Sequence, residues 1–233
     1  MRVGTWNLEK GARRKSAGKR QLEALADYRL DVAVLTEPSE AVLTFGDSTV
    51  VTSYGTGNGK PWVALVGAGL ALRGDPRVLS VAAETEIAGR RVLVYGSVLP
   101  WTKATSDIPE VADGRSSEEF FLEELHDQVS EIETFCSEDD LTVVWAGDFN
   151  QNLLGPLYGG SARRREELQK RLGGLGFEAW NRLAPHAIDG LFTIDLICGP
   201  DHLAVERTET IANTIDGDVV TDHAGYVVEL RYP

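Results

Sequence analysis

The sequence is poor in the features that mark disulfide scaffolds, membrane spans and repeats. Only two of its 233 residues are cysteine, Cys136 and Cys198. A disulfide or a metal pair stays open for them, but two buried thiols in a reducing compartment are the commoner outcome. The longest apolar run, 62–72, contains two glycines and is shorter than the ~20 residues of a membrane helix. No targeting segment precedes the strand-like residues 2–6, so we expect a cytoplasmic protein that is not inserted in a membrane.

Basic residues are also in the minority, and their distribution bears on the choice of partner. The net charge is −13, from 23 Lys and Arg against 36 Asp and Glu. Residues 103–140 alone carry thirteen acids and two bases, and we expect this acidic cluster to be a solvated helix face. The net charge argues against nonspecific coating of nucleic acid. The rest of the chain is nearly balanced, so an anionic substrate is not excluded.

Short β-rich runs alternate with helical patterns along the chain, which predicts an α/β protein. Helices are expected around 21–28, around 121–135 behind a capping box formed by Ser116 and Glu119, and around 161–172. A hairpin-like stretch at 63–72 indicates a mixed rather than a purely parallel sheet. The predicted strands are 2–7, 31–36, 62–66, 91–98, 141–146, 192–198 and 226–232.

Small acidic or amide residues recur near the ends of the apolar strands. Each has an ordinary alternative: Glu37 as a surface strand end, Asp195 as the partner of an arginine, His223 as a core histidine. The segment 147–150, Gly-Asp-Phe-Asn, is harder to explain in this way, because Asp148 and Asn150 share one side of an extended chain while the residue between them points inward. Such groups lie where several elements converge on a cleft.

Convergence of these groups would require a cation. Two carboxylates about 4 Å apart repel by roughly 4 kcal/mol at an effective dielectric constant near 20. An oxygen-rich ligand set without cysteine suits Mg²⁺ or Mn²⁺ better than zinc. A hard cation beside an amide and an imidazole is suited to hydrolysis of a phosphate ester.

The motifs resemble those of the endonuclease/exonuclease/phosphatase superfamily, also called DNase I-like. The resemblance spans residues 5 to 223 and therefore implies a single domain over 1–233, with the family's four-layered α/β sandwich of two mixed sheets packed face to face and helices outside. Gly-Asp-Phe-Asn is its most specific part. The matching motifs are Thr5-Trp6-Asn7-x-Glu9, Leu35-Thr36-Glu37, Gly147-Asp148-Phe149-Asn150, Ile194-Asp195 and Thr221-Asp222-His223.

The resemblance implies a role for each matched residue. Glu37 would be the principal ligand of Mg²⁺ or Mn²⁺, supported by Asn7 and Glu9, with Asp222 at the metal or its water shell. Asp148 would align or deprotonate the attacking water, and Asn150 would hold that water or the phosphate. His223 would contact a nonbridging phosphate oxygen, with Asp195 orienting its ring and favouring the imidazolium form. The catalytic candidates are therefore Asp148, Asn150, Asp195 and His223, and the metal-binding candidates are Glu37, Asn7, Glu9 and Asp222.

One motif departs from the family and leaves the substrate open. Val98 occupies the position where many members carry a catalytic His or Tyr, and valine cannot donate a hydrogen bond. Trp101 and Lys103 follow on a loop and are candidates to stack on a base and hold a phosphate. Arg163 belongs to a basic helix that, with basic residues at 10–20, would rim the cleft; exposed surface charges are the equal alternative.

Three functions remain in consideration. The first is a metal-dependent phosphodiesterase, that is, a nuclease acting on nucleic acid. The second is a phosphatase or diesterase for a small phosphorylated metabolite, nucleotide or lipid headgroup, favoured by the acidic balance and Val98. The third is a non-catalytic binding module that kept the fold, which only Val98 supports. The sequence does not define the oligomeric state.

Overall fold

The fold is given by a computed structural model that describes residues 1–9, 17–44, 48–57 and 59–231. None of the helices in these ranges is long and apolar enough to cross a membrane. In chain order the elements are β1 (Arg2–Asn7), α1 (Ala17–Ala26), β2 (Val32–Thr36), a 3₁₀ helix (Glu40–Thr44), β3 (Thr49–Thr52), β4 (Val63–Gly67), β5 (Ala71–Arg73), β6 (Ser80–Ile87), β7 (Arg90–Val98), α2 (Ala104–Asp107), α3 (Pro109–Ala112), α4 (Ser117–Cys136), β8 (Leu141–Asp148), α5 (Ala162–Gly174), β9 (Phe177–Ala179), β10 (Asp195–Pro200), β11 (Ala204–Ile211), β12 (Thr214–Ile215), β13 (Asp218–Val219) and β14 (Gly225–Arg231).

Twelve of the fourteen described strands form two mixed six-stranded sheets, and β12 and β13 form a separate two-stranded antiparallel sheet. Sheet I has the order β11-β14-β1-β2-β4-β3, and sheet II the order β5-β6-β7-β8-β10-β9. Each contains one parallel pair near its centre, β1 with β2 and β7 with β8, and the other pairs are antiparallel. Central strands are buried on both faces, as in the continuous buried run of β2, which is why they read as unbroken apolar runs.

Three apolar clusters hold four layers together. The largest lies between the sheets and includes Val34 from sheet I and Val94 from sheet II. A second cluster joins sheet II to α4 and α5, and a third joins sheet I to α1. The order of layers is therefore helix, sheet, sheet, helix, which confirms the predicted α/β sandwich.

The helix predictions are confirmed, including the reciprocal capping box. Ser116 Oγ accepts the N–H of Glu119, and a Glu119 carboxylate oxygen accepts the N–H of Ser116 at 3.0 Å. One detail of the acidic cluster was wrong. Glu124 does not face water but is buried, where Gln128 donates to it and Arg77 lies 3.6 Å away, because it points toward sheet II rather than outward.

Three further local predictions were wrong. Residues 63–72 do not form a hairpin, since β4 belongs to sheet I and β5 to sheet II, and the turn between them crosses the sandwich. The strand expected to start at residue 192 starts only at Asp195. Asp195 therefore lies at the amino end of β10. Both cysteines are free thiols, as expected, but only Cys198 is buried, and Cys136 is exposed at the end of α4.

Candidate active site

The sandwich brings the ends of five strands to one edge. Asn7 ends β1, Glu37 follows β2, and Asp148 ends β8. The strands β10 and β14 run antiparallel to their neighbours, so their amino ends reach the same edge and carry Asp195 and the nearby His223. Asp148 and Asp195 are direct partners in the register of β8 and β10.

Local side-chain hydrogen bonds shape the loops that adjoin these strands. The same pattern occurs at each: a side chain accepts the backbone N–H two residues later, which closes a tight turn without a longer loop. The pairs are Asn7 with Glu9 at 2.9 Å, Asp148 with Asn150 at 2.9 Å, Thr193 with Asp195 at 2.9 Å, and Thr221 with His223 at 3.2 Å. Four such turns therefore set the backbone direction of the segments that carry the candidate residues.

Three of the candidate residues have left-handed backbone conformations. The φ angles of Glu9, Glu37 and Asn150 are 49°, 46° and 49°. Residues other than glycine adopt this region at a cost of roughly 1 kcal/mol or more, and such residues cluster at functional sites. Asn150 is consequently not extended, so the alternation of an extended chain is not what brings Asp148 and Asn150 to the same cleft.

Gly147 permits the close approach of β7 and β8 before the turn. Its φ is 141°, and a Cβ atom at this position would lie 1.9 Å from the Ser97 carbonyl oxygen. The next residue, Asp148, accepts through its backbone oxygen the N–H of Leu99 at 2.9 Å. Phe149 is fully buried against Trp145, with ring centroids 4.7 Å apart. The segment 147–150 is thus anchored on both sides of the acid.

Asp148 lies at the centre of the candidate site and is almost fully buried. Asn7 Nδ2 donates to Asp148 Oδ2 at 3.0 Å and to Glu37 Oε1 at 3.3 Å, so one amide joins the two carboxylates. Burial, followed by the negative charge of Asp195, raises the pKa of Asp148 to about 7. A carboxylate with this pKa is suited to accept a proton near neutral pH.

Asp195 and His223 form a close pair beside Asp148. His223 Nδ1 lies 2.7 Å from Asp195 Oδ2. Burial lowers the pKa of His223, but the charge and hydrogen bond of Asp195 outweigh it and raise the pKa to about 10. The ring is therefore an imidazolium at neutral pH. Its Nε2 lies 3.8 Å from Oδ1 of the exposed Asp222.

The donor set fits a hard divalent cation. Ligand atoms of Asp148, Asp195 and His223 lie within 4.8 Å of one another. Within this group the imidazolium and Asp195 bind each other directly, whereas Asp148 is joined through the Asn7 amide to Glu37. Asp195 Oδ1 is buried with no hydrogen-bond partner within the described ranges, which adds to the local excess of negative oxygen. Carboxylate and amide oxygens are ligands that Mg²⁺ and Mn²⁺ prefer.

A cleft of about 350 Å³ opens beside these groups. Two tryptophans form one wall, Trp62 and Trp101, with ring centroids 4.8 Å apart and planes inclined by 39°. Asp107 accepts the Trp101 indole N–H at 2.7 Å and so fixes that ring. The lining contributed by described residues is Glu37, Thr56, Trp62, Trp101, Asp107, Asp148, Asn150 and His223.

The other predicted residues lie at the periphery or are engaged elsewhere. Glu9 contributes its backbone N–H to Asn7. Lys103 is exposed and precedes α2. Arg163 pairs with Glu118 of α4 at 3.0 Å. Val98 is buried between the sheets, where its side chain serves packing.

The basic residues of α5 do not line the cleft, and of the basic cluster at 10–20 the structure describes only Lys19 and Arg20. On α5, Arg164 is buried over the Phe121 ring and donates to Ser117 Oγ at 2.7 Å, while Arg165 donates to carbonyls of residues 152–156. Arg20 of α1 pairs with Asp218 at 2.9 Å. These guanidinium groups have structural partners, and the remaining basic residues at 10–15 lie outside the described residues.

Sequence reasoning missed Thr56 and Asp107 of the cleft lining, and it also missed three residues with ring side chains at or near the site. Trp62 immediately precedes β4, whose antiparallel pairing with β2 brings it next to Glu37; the Glu37 N–H donates to the Trp62 carbonyl at 2.8 Å. Tyr158 and His186 lie on loops, and their rings connect to His223 by contact. No periodicity or motif in the sequence marks these loop residues.

Solved structures share this fold over the whole chain. The endonuclease domain of TRAS1, a telomere-specific non-LTR retrotransposon, is 19% identical with a TM-score of 0.69, covering 99% of this chain and 97% of its own. The 3′ phosphatase NExo from Neisseria, solved bound to a product DNA hairpin, is 18% identical with a TM-score of 0.66 and full coverage of both chains. An AP endonuclease from Archaeoglobus fulgidus is 15% identical with a TM-score of 0.69, again with full coverage. The sequence itself matches no protein-family model and no curated protein. The likeness to these solved structures shows that the chain has the endonuclease/exonuclease/phosphatase, or DNase I-like, fold, as its motifs predict.

Proposed function

We propose that this protein is a divalent-metal-dependent phosphodiesterase that hydrolyses nucleic acid. The observation that carries the proposal is the position of Asp148, which Asn7 links to Glu37 on one side and which faces the Asp195–His223 pair on the other. The fold is shared with proteins described as endonucleases and as a phosphatase bound to DNA. That likeness supports a nucleic-acid substrate.

The proposed metal is Mg²⁺ or Mn²⁺, held by Glu37 with Asn7, and with Glu9 and Asp222 in supporting positions. When bound, such an ion supplies Lewis-acid neutralisation of a phosphate oxygen. The amide of Asn7 keeps the carboxylates of Glu37 and Asp148 in a fixed relation. This arrangement gives the ion a prepared set of oxygen ligands.

The remaining groups divide the hydrolysis between them. Asp148, whose pKa lies near neutrality, orients the attacking water and accepts its proton. Asn150 is held at the cleft by its Nδ2–H bond to the Leu99 carbonyl at 2.9 Å, and positions the water or the phosphate. The imidazolium of His223 donates from Nε2 to a nonbridging phosphate oxygen, while Asp195 fixes the ring through Nδ1.

The tryptophan wall supports recognition of a base. Trp101 is held by Asp107 and backed by Trp62, so one fixed aromatic surface borders the acidic centre. A base stacked on such a surface contributes about 1–3 kcal/mol. Trp101→Leu is therefore expected to raise KM about tenfold or more for a dinucleotide, and to leave KM for a base-free glycerophosphodiester unchanged. Equal effects on both substrates would remove the stacking role.

A second candidate is a diesterase or phosphatase for small phosphoesters. It is favoured by the cleft lining, since the described residues place three carboxylates and no lysine or arginine there. Long nucleic acids bind chiefly through phosphate contacts with basic side chains. A short or single-nucleotide ester needs fewer such contacts.

A substrate panel separates the two candidates. The purified protein is assayed with Mg²⁺ or Mn²⁺ on single-stranded DNA, duplex DNA, RNA, dinucleotides and phosphomonoesters, with and without EDTA. Cleavage of the polymers that EDTA abolishes and the metal restores supports the nuclease. Cleavage confined to small esters supports the second candidate. Absence of turnover on the whole panel, with no Mg²⁺ or Mn²⁺ binding by calorimetry, would leave a binding module as the function.

The cysteines bear on the proposed compartment. Cys136 is exposed and Cys198 is buried, and both are free thiols. An exposed free thiol persists most readily where the environment is reducing. We therefore propose a cytoplasmic location, which cell fractionation tests directly.

A further inference from the structure

Asp107 is an acid of the cleft that the proposed hydrolysis does not use. It lines the same cleft as Asp148, Asn150 and His223, and its side chain is exposed. Within the described ranges this side chain is hydrogen-bonded to a tryptophan and a serine and is paired with no lysine or arginine. The cleft therefore contains a carboxylate whose charge serves neither the proposed metal nor the attacking water.

The short helix α2 holds Asp107 and Trp101 in a fixed relation. The Trp101 carbonyl accepts the Ala104 N–H at 3.1 Å, and the Lys103 carbonyl accepts the Asp107 N–H at 3.1 Å. Ala104 is fully buried in the core between the sheets. The Trp101 carbonyl also accepts the Ser117 hydroxyl of α4 at 3.3 Å. The tryptophan wall and its acid are thus parts of one fixed segment.

The carboxylate of Asp107 continues the edge of the Trp101 ring. The indole Nε1–H donates to Asp107 Oδ2 at 2.7 Å, and an indole N–H lies in the plane of its ring. Trp62 packs on Trp101 with ring centroids 4.8 Å apart, so a base stacks on the other face of Trp101. The edge of such a base comes to lie beside the carboxylate.

The contact with Trp101 does not exhaust the carboxylate. One neutral acceptor oxygen would be enough to hold the indole N–H, whereas a carboxylate offers two oxygens with about four acceptor sites and no donor. The Ser106 hydroxyl donates to the Lys103 carbonyl at 2.8 Å, and its contact of 3.4 Å with Asp107 Oδ1 is the longer of the two. Asp107 therefore keeps acceptor capacity for a group that enters the cleft.

An acceptor beside a stacked base distinguishes between base types. Cytosine and adenine carry an exocyclic amino group that donates, and aspartate accepts from the amino group of cytosine. Uracil and thymine carry a carbonyl oxygen at the corresponding position, which would face the carboxylate without a proton between them. A site built to pair with a donor rejects the analogue that lacks it.

We propose that Asp107 is a specificity-determining residue, whose carboxylate accepts a hydrogen bond from the exocyclic amino group of a base stacked on Trp101. The site would then select cytosine or adenine over uracil or thymine. This inference deepens the proposed function and rests on it for the nucleotide character of the substrate. The cleft volume of about 350 Å³ is in the range of pockets for a single small ligand, so the selection concerns the one nucleotide beside the reacting phosphate.

The test is Asp107→Asn, which keeps an acceptor oxygen for Trp101 and replaces the other carboxylate oxygen by an N–H donor. The matched control is Glu110→Gln, which neutralises an exposed acid at the start of α3 that does not line the cleft. The ligands are cytidine, N4,N4-dimethylcytidine, adenosine and uridine. Because nucleosides carry no phosphate, they report base recognition independently of metal and turnover.

Two readouts are taken. The Kd of each nucleoside is measured by NMR from the indole N–H resonance of Trp101, which is assigned by its loss in Trp101→Leu. The second readout is kcat/KM with Mg²⁺ or Mn²⁺ for dinucleotides that differ only in cytosine against uracil.

We expect the parent to bind cytidine and adenosine about tenfold more tightly than uridine and dimethylcytidine, with the same preference in kcat/KM. Asp107→Asn should bring both ratios close to one, and Glu110→Gln should leave them unchanged. If Asp107 only holds Trp101, the variant changes the affinity for all four nucleosides alike or for none, and the inference is overturned.

Failure of the inference and failure of the proposed function give different results. Dinucleotide cleavage without base preference, together with equal binding of the four nucleosides, overturns the inference and leaves the hydrolase in place. Absence of turnover, with a nucleoside preference that Asp107→Asn removes, supports base recognition and refutes the hydrolase. If no nucleoside shifts the Trp101 resonance at the highest concentration that dissolves, base recognition by this wall is refuted whatever the turnover.

Discussion

Replacement of Asp148 by asparagine should abolish turnover and at the same time stabilise the metal-free protein at alkaline pH. Asp148 is 3% exposed, and burial together with the charge of Asp195 raises its pKa from 3.8 to about 7. A group whose pKa is raised by folding contributes stability that is complete below the unfolded pKa and is lost as the pH rises to the folded pKa. The ionised carboxylate therefore destabilises the folded state increasingly between about pH 4 and pH 7.

The magnitude follows from the two pKa values. At about 1.4 kcal/mol per pKa unit, ionisation of Asp148 costs at most about 4 kcal/mol at pH 8. Asparagine removes this cost but replaces the Oδ2 acceptor of Asn7, which loses a hydrogen bond worth about 1–2 kcal/mol. We expect Asp148→Asn to be about 2 kcal/mol more stable than the parent at pH 8, and less stable than the parent at pH 4.5.

Urea unfolding in EDTA at the two pH values measures this difference. The control is Asp201→Asn, an exposed acid whose replacement should change the free energy of unfolding by less than about 0.5 kcal/mol at either pH. With saturating Mg²⁺ the order should reverse at pH 8, because bound metal stabilises the parent. If Asp148→Asn lowers the free energy of unfolding equally at both pH values, the pKa of Asp148 in the folded protein is not raised as the structure implies.

Three further predictions concern the same edge of the sandwich. Gly147→Ala should destabilise the protein by about 3 kcal/mol or more in urea unfolding, because the added Cβ would overlap a backbone carbonyl of β7. The control is Gly173→Ala, on α5 with open space around it, which should stabilise the protein by about 0.5–1 kcal/mol in the same assay. Glu37→Gln should weaken Mg²⁺ binding at least about tenfold in calorimetry, and an unchanged affinity would remove Glu37 from the ligand set. Asp195→Asn should lower the pKa of His223 from about 10 in an NMR titration, because Asp195 supplies both a charge and a hydrogen bond that raise it. The raised pKa of His223 in the parent stabilises the folded state fully below pH 6.5, and this contribution is lost as the pH rises to about 10. The variant should lack this contribution to the free energy of unfolding. A His223 pKa that does not change in the variant would refute the pairing with Asp195.

The main buried strands and long helices could be predicted from the sequence because each produces a local pattern of neighbouring residues. The apolar runs of β1, β2 and β8, and the capping box ahead of α4, are properties of neighbouring residues. The sequence prediction missed the interior strand β6 and the edge strands β3, β9 and β11. β11 is mostly exposed, so its side chains carry no apolar run, and its pairing with β14 depends on residues distant in the chain.

The candidate site could be predicted only in part from the sequence. Asp148 and His223 belong to short motifs, so residue type and order alone identified them. Trp62, Tyr158 and His186 belong to none. Their positions depend on antiparallel pairing of β4 with β2 and on loop packing, which a single sequence does not encode in any local period.

Residue chemistry therefore sufficed to predict an oxygen-rich, acidic centre on an α/β fold, since carboxylates at strand ends are visible one motif at a time, and the family resemblance implied the sandwich. Only the tertiary structure decided which charges act together. The antiparallel course of β10 brings Asp195 beside Asp148, and the same packing directs the arginines of α5 into structural contacts. A pKa near neutrality for Asp148 arises from burial and from a neighbour 47 residues away in the chain, because electrostatic energy depends on distance in space rather than on separation in sequence.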